Sequence, residues 1–336
     1  MKLATIRDIA IKANVSSVTV SRVLNRDQTF SVSEETRQRV ISIAEEFNYK
    51  TPRERKGKNA VATNSDAKIG TIIFLTEQQE EMDAHFSLIR EGIEKECIAA
   101  GIIKTNMLRL SQFGNPDVVI NNVDGAIVIG GSIENVAPII NQVENVVFVD
   151  YSPDVEKFDS IVIDFQRATR LALEHLIKAG HKDIGYMGGW RSEGKDERHH
   201  YYEVIMRENG IYDAKHVYIG EWATTEGYAS MQRIIEKGNL PTAFFFGNDN
   251  LAIGALRALQ DAGIRVPQNM AVVGFNDIPM SAYVNPSLTT VKIQSEMMGR
   301  MAVKLLLDQI NGREIPVQVT IPATLIIRDS CGFQLS

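Results

Sequence analysis

The chain has 336 residues, 44% of them hydrophobic and 23% charged, with a formal net charge of −6. This is an ordinary globular balance with ample material for a core, and the length suits two or three domains rather than one. No apolar run approaches the ~18 residues a spanning helix needs, and the opening Met1-Lys2-Leu3-Ala4-Thr5-Ile6-Arg7-Asp8 lacks a signal-like apolar core. A cytoplasmic location with no membrane partner is therefore expected. Cys97 and Cys331 form no metal or redox spacing and read as free thiols.

The charge is unevenly placed. Residues 1–64 carry 12 Lys/Arg against 7 Asp/Glu, and the remainder carries 24 against 35. A basic head on an acidic body suits a head that meets polyphosphate while the body does not.

Helical periodicity begins at once. Ile6, Ile9, Ala10 and Ala13 fall at i, i+3, i+4 and i+7, one apolar face. Thr5 with Asp8 makes an approximate capping box. Asn14-Val15-Ser16 breaks the pattern, and Ser16 or Ser17 can cap a second helix carrying Val20, Val23 and Leu24. After the polar exit Asn25-Arg26-Asp27-Gln28, Ser33-Glu34-Glu35 opens a third helix, with Val40, Ile43, Ala44 and Phe47 inward. Two short helices across a tight turn, braced by a third, make a helix-turn-helix. Such a unit lays its second helix in the DNA major groove. The residues this puts at base edges and phosphates are Ser16, Ser17, Val18, Thr19, Ser21 and Arg22. Hydroxyls bond phosphate or bases, Val18 can meet a thymine methyl, and Arg22 can fork onto guanine.

The strings Thr5-Ile6-Arg7-Asp8-Ile9-Ala10, Val15-Ser16, Thr19-Val20-Ser21-Arg22-Val23-Leu24-Asn25, Ser33-Glu34-Glu35-Thr36-Arg37 and Asn48-Tyr49 resemble the head of the LacI/GalR family of bacterial repressors. The resemblance adds Thr5, Asn25 and Tyr49 to the expected DNA contacts. It also implies a hinge helix with a leucine wedge for the minor groove. Here Lys56-Gly57-Lys58 stands near the wedge position, and Gly57 disfavours helix. Either the hinge at 51–67 forms without an apolar wedge, or it is a basic tether.

From Lys68 the pattern changes to short β-rich runs alternating with helical stretches. The strands expected are Ile69–Leu75, Ala126–Ile129, Val146–Val149, Ile161–Ile163, Ile184–Met187, Ala243–Phe246 and Ala271–Phe275. Helices are expected near 86–100, 135–143 and 167–179. Alternation of this kind implies parallel sheets covered on both faces. About ten strands are too many for one small sheet, so two lobes are expected, with ligand at the carboxyl ends of the strands.

Val123-Asp124-Gly125-Ala126-Ile127, Glu174-His175-Leu176, Ala179-Gly180-His181, Gly247-Asn248-Asp249 and Val273-Gly274-Phe275-Asn276-Asp277 again resemble the LacI/GalR body. The implied architecture is a three-helix head at 1–50, a hinge at 51–67 and an α/β two-lobed periplasmic-binding-protein-like body. Its first lobe would take 68–163 plus about 295–322, and its second 164–294 plus 323–336. The family also implies a homodimer on pseudo-palindromic double-stranded operator DNA. It implies a small sugar effector held by Asp150 and Arg198, with Asn248, Asn276 and Trp222 beside them and Phe86 and Trp190 as cleft walls. Ile293 stands where the family glutamine is expected, with Gln294 following. The polar set resembles galactoside-responsive members, so galactose or a β-galactoside is favoured and no cofactor or metal is expected.

Three alternatives frame this reading. A sugar-metabolising enzyme would need a signature such as Gly-x-Gly-x-x-Gly, a P-loop or Gly-x-Ser-x-Gly, and none is found; the six histidines have no metal spacing. A transport binding protein would need a signal peptide and no DNA-binding head. A catabolite regulator of the same family would take a phosphoprotein in place of a sugar.

Overall fold

The computed structural model describes residues 6–24, 32–47, 68–73, 84–102, 104–109, 123–130, 142–190 and 196–332. The chain divides into two compact units, Met1–Asn64 and Ser65–Ser336.

The first unit holds α1 (Ile6–Ala13), α2 (Ser17–Leu24) and α3 (Glu34–Glu46). Their apolar stripes meet in a core of Ile9, Ala10, Ala13, Val20, Val23, Val40, Ile43 and Ala44, with Leu24 and Phe47 packed at its edge. The turn is made by Asn14 at φ 53, a left-handed conformation that asparagine tolerates better than most residues. The Val15 N–H then bonds the Ala10 carbonyl at 3.0 Å. Ser16 caps α2, its hydroxyl accepting from the Thr19 N–H at 3.0 Å. Ser33 does the same for α3 through the Thr36 N–H. Arg39 Nε donates to the Ala13 carbonyl at 3.2 Å, tying α3 to the end of α1. The capping box around Thr5, the polar exit at 25–28, the hinge at 51–67 and most of the helix expected near 135–143 lie outside the described residues.

Among its described residues the second unit contains two six-stranded sheets. The first is built from β1 (Lys68–Ile73), β2 (Lys104–Arg109), β3 (Gly125–Ile129), β4 (Val146–Val149), β5 (Asp159–Ile163) and β11 (Gln318–Ile321). Its order is β11-β5-β4-β3-β1-β2, with every neighbouring pair parallel. The second has β6 (Ile184–Gly189), β7 (Val217–Gly220), β8 (Ala243–Phe246), β9 (Ala271–Asn276), β10 (Thr289–Lys292) and β12 (Thr324–Ile326). Its order is β12-β10-β9-β8-β6-β7, parallel except for β12 against β10. Strands covered on both faces read as unbroken apolar runs; β4, β8 and β9 are buried along their whole length.

Helices α4 (Ala84–Ala99) and α9 (Ser295–Ile310) pack together beside the first sheet. Helices α5 (Phe165–Lys178), α6 (Glu197–Glu208), α7 (Thr224–Lys237) and α8 (Asp249–Asp261) serve the second. The chain passes between the sheets after β5, between β10 and α9, and between β11 and β12. The α4–α9 contact is backbone on backbone. A Cβ at Gly92 would sit 2.0 Å from the Glu296 carbonyl oxygen, and one at Gly299 2.0 Å from that of Ile89.

A buried ion pair closes the edge of the first sheet. Asp159 is fully buried and accepts from Arg313 Nη1 at 3.0 Å, from Arg313 Nη2, and from the Val317 N–H at 2.7 Å. Removing one partner strands a charge in the interior. Asp159→Ala is therefore expected to lower stability by roughly 3–5 kcal/mol, read as a fall in the urea midpoint. Lys157→Ala, which breaks the exposed pair with Asp154, should leave that midpoint unchanged. Equal midpoints for both variants would contradict this assignment.

Candidate DNA-reading face and effector cleft

On α2, Val20 and Val23 turn inward while Ser17, Val18 and Arg22 are exposed, Val18 by 63%. Thr19 and Ser21 are half-buried. Ser16 and Thr19 are 2.9 Å apart through their hydroxyls, so both belong to the cap as well as to the helix's leading edge. Thr5, Asn25 and Tyr49 lie outside the described residues. The helix therefore offers an outward face of hydroxyls, one aliphatic side chain and a guanidinium, a set that can read base edges and phosphates.

In the second unit the expected ligand-binding residues gather at the carboxyl ends of strands in both sheets. Asp150 follows β4, Trp190 follows β6, Trp222 follows β7, Asn248 follows β8, and Asn276 ends β9. Three residues at two of these strand ends leave the common backbone regions: Asp150 after β4 has φ 78, and Asn276 at the end of β9 and the adjacent Asp277 have φ 107 and 55. Strain of this kind is tolerated where surrounding structure fixes it, and it clusters at functional sites.

Arg198 is the anchor. It stands in the first turn of α6, with Asp196 capping that helix. Its Nε and Nη2 donate to the two oxygens of Asp196, each at 2.8 Å, and Nη1 donates to the Gly247 carbonyl at 2.8 Å. Burial would lower its pKa, but the Asp196 carboxylate, with smaller help from Tyr186 and Asp150, more than offsets this, and the net shift is upward. The guanidinium lies 4.4 Å from the Trp222 ring, within cation–π range. Among the described residues, three of its five N–H groups are thus directed at protein acceptors. Asp150, from the other sheet, adds to the field that holds Arg198 charged.

Trp222 is held edge and face. Its Nε1 donates to the Trp190 carbonyl at 3.0 Å. Gly189 and Gly247 give the indole its room, because a Cβ at either would come within 2.4 and 2.9 Å of ring atoms. The Trp190 side chain itself is 67% exposed. Asn248 is 1% exposed and caps α8, its Oδ1 accepting from the Leu251 N–H at 2.9 Å. Its carbonyl is therefore committed to the cap, and its Nδ2 donates to the Trp222 carbonyl at 3.5 Å. Asn276 is 5% exposed. Phe86 on α4 is half-buried against the core, its ring 5.0 Å from that of His85. Ile293 is buried and Gln294 precedes α9.

Two neighbours of these residues escaped the sequence reading. Asp196 forms the direct ion pair with Arg198; its position two residues ahead, at a helix start, was the available signal. His85 sits 3.4 Å from Asp150, a contact between positions 65 residues apart that no local pattern reveals.

Beneath the cleft lies a fully buried carboxylate, Asp249. It accepts from Thr290 Oγ1 at 2.6 Å, the Ile278 N–H at 2.9 Å and Ser281 Oγ at 2.9 Å. This joins the start of α8 to the ends of β9 and β10. Gly274 is required beside it, since a Cβ there would lie 2.1 Å from Oδ1. Burial pushes the Asp249 carboxyl up to about 7, against the hydrogen bonds that favour its charged form. An unfolded aspartate has already released its proton near pH 4. Between there and about 7 the native state holds a proton that the unfolded chain has lost, so this group's stabilisation is present at low pH and is lost as pH rises through 7. Asp249→Asn is expected to flatten that part of the stability curve. Urea midpoints at pH 5, 6, 7 and 8 measure it, and an unchanged slope would contradict the burial argument.

Comparison with known proteins gives this geometry its context. Residues 5–52 match the description "Bacterial regulatory proteins, lacI family", and residues 173–331 match "Periplasmic binding protein-like domain". The chain is 45% identical to the HTH-type transcriptional repressor MelR of Bacillus subtilis (strain 168), over 98% of each. It is 35% identical to the HTH-type transcriptional regulator GalR of Lacticaseibacillus casei, over 98% of this chain and 99% of that one. Among solved structures, the transcriptional regulator CelR–cellobiose complex superposes with a TM-score of 0.70 at 25% identity, over 97% of this chain and 99% of that one. The expected helix-turn-helix head and two-sheet α/β body are both present, and the chain belongs to the LacI family of bacterial regulatory proteins, as a transcriptional regulator and not an enzyme.

Proposed function

We propose that this chain is a cytoplasmic repressor of a sugar-utilisation operon, bound as a homodimer to a pseudo-palindromic operator and released by a small sugar, with galactose or a β-galactoside favoured. The head would span 1–50 and the hinge 51–67. The sugar would lie between the two lobes, 68–163 with about 295–322, and 164–294 with 323–336.

The observation that carries the reading is the pairing of Asp150, at the carboxyl end of β4 in the first sheet, with Arg198, in the first turn of α6 and bonded to the Gly247 carbonyl beyond β8 of the second. A carboxylate accepts from one sugar hydroxyl, and a guanidinium donates to others. The neighbouring indole of Trp222 supplies an apolar surface for C–H groups. A ligand that bridges both sheets favours the lobe geometry in which both contacts are made. If that geometry suits DNA poorly, operator affinity falls by the coupling free energy, typically ~1–3 kcal/mol. The disaccharide in the CelR–cellobiose complex supports a sugar as the class of ligand.

A thermal-shift panel of galactose, lactose, allolactose, glucose, ribose, sucrose and purines tests the ligand class. A ligand that binds only the folded protein stabilises it by about 2.7 kcal/mol at a hundred times its dissociation constant. A shift with galactose or lactose is expected, and it should vanish in Asp150→Asn while operator binding is retained. A full shift in that variant would remove Asp150 from the site. In the head, Arg22→Ala should weaken specific operator binding by about 1–3 kcal/mol in a fluorescence-anisotropy titration at fixed salt, and leave the sugar response intact.

A further inference from the structure

We propose that His85 is a positioning residue for the sugar. It presents an Nε2–H to Asp150 Oδ1, with its tautomer set by the Ser295 hydroxyl, and so aims Oδ2 at a sugar hydroxyl. The proposal rests on the reading of the cleft as a sugar site.

His85 is 4% exposed and Ser295 3%. The ring's Nδ1 lies 2.7 Å from Ser295 Oγ, and its Nε2 lies 3.4 Å from Asp150 Oδ1. Asp150 Oδ1 is sealed from solvent and makes no hydrogen bond among the described residues; it is an orphaned acceptor that His85 Nε2 faces at ion-pair distance, while the side chain as a whole keeps 21% exposure. The oxygen facing outward is therefore Oδ2. Ser295 has one proton to donate. Its alternative acceptor, the Ile293 carbonyl, is 3.5 Å away, so the short contact to the ring takes the proton. With Nδ1 accepting, a neutral imidazole carries its own proton on Nε2, pointing at the carboxylate. The opposite tautomer would set a bare nitrogen lone pair against carboxylate lone pairs in a dry site, which is costly.

The frame that holds this chain of groups is stiff. His85 stands in the first turn of α4 and Ser295 begins α9. These helices touch through Gly92 and Gly299, where even a methyl group has no room. Asp150 meets them from a left-handed backbone conformation at φ 78. The ring therefore cannot drift without moving a helix pair. Ser295 also lies directly after the segment that carries the chain from β10 back to the first lobe. One consequence concerns specificity: a pre-aimed Oδ2 that accepts selects a ligand with a hydroxyl at that point and rejects the deoxy or fluoro analogue.

Two measurements on the full-length protein test the proposal. The first needs no ligand. Long-range nitrogen–proton NMR of histidine-labelled protein, with His85 assigned by its loss in His85→Gln, reports which ring nitrogen bears the proton. A protonated Nε2 is expected, and a bare Nε2 would overturn the proposal. The second titrates galactose, lactose and cellobiose calorimetrically. Removing the Nε2–H that faces the buried carboxylate oxygen should weaken binding about tenfold or more in His85→Leu. His85→Gln, which restores an N–H near the Nε2 position, should stay within about threefold of wild type. Gln as damaging as Leu, with both variants melting normally, would show a packing role and overturn the proposal. If none of the three sugars binds the wild type, the galactoside reading falls, and the ring's protonation alone then decides on His85.

Discussion

A guanidinium withdrawn from water must be neutralised and hydrogen-bonded where it lies, and much of the candidate cleft is arranged to do this for Arg198. Asp196 grips two of its nitrogens and the Gly247 carbonyl takes a third. The Trp222 ring covers it at 4.4 Å. Each partner constrains another residue. Gly247 and Gly189 stay side-chain-free because the indole occupies that space. Trp222 is pinned to the Trp190 carbonyl, and Asn248 must follow Gly247 to cap α8. The result is a rigid positive edge on the second sheet. A pre-paid, immobile donor set is what gives a small polar ligand affinity without large reorganisation.

The opposing edge is built differently. Among the described residues no arginine forms an ion pair with Asp150; a buried histidine stands 3.4 Å from it, and its backbone conformation is left-handed. A carboxylate supported in this way stays an acceptor for a ligand, whereas a full ion pair across the cleft would leave it satisfied without one. The two edges belong to different sheets, and three chain crossings connect those sheets. A ligand that spans them therefore acts on the relation between lobes, in keeping with the proposed role as a switch rather than a catalyst. The pair of stacked helices behind Asp150, joined through Gly92 and Gly299, gives the first lobe a stiff base for that movement.

Much of this was legible in the sequence, for identifiable reasons. The head's helices announce themselves because one apolar stripe per helix is enough to specify a three-helix core, and Ser16 and Ser33 mark the helix starts. The buried strands read clearly because parallel strands covered on both faces need unbroken apolar runs, as in Val146–Val149 and Ala243–Phe246. That Asp150, Asn248 and Asn276 stand just past strands or at their ends could be read from the apolar runs before them, while their proposed role in holding a ligand came from the family resemblance. Long-range partners could not be read. The Asp159–Arg313 pair and the His85–Asp150–Ser295 chain join residues 65 to 210 positions apart, and only the completed fold brings them together. Asn248 illustrates a subtler limit: its residue type suits a ligand contact, but its place one residue before α8 also makes it a helix cap, and the cap takes its carbonyl.

The central claim is that occupation of the cleft and occupation of DNA by the head are coupled, and thermodynamics makes that coupling reciprocal. The most direct test is to measure galactose affinity by calorimetry with and without saturating operator duplex, selected in vitro for this protein, and operator affinity with and without saturating galactose. The expected result is that each ligand weakens the other by the same factor, about 5- to 150-fold. Tight binding of both ligands with no mutual effect would contradict the account, because a cleft that bridges two lobes would then be silent to the head it is meant to control.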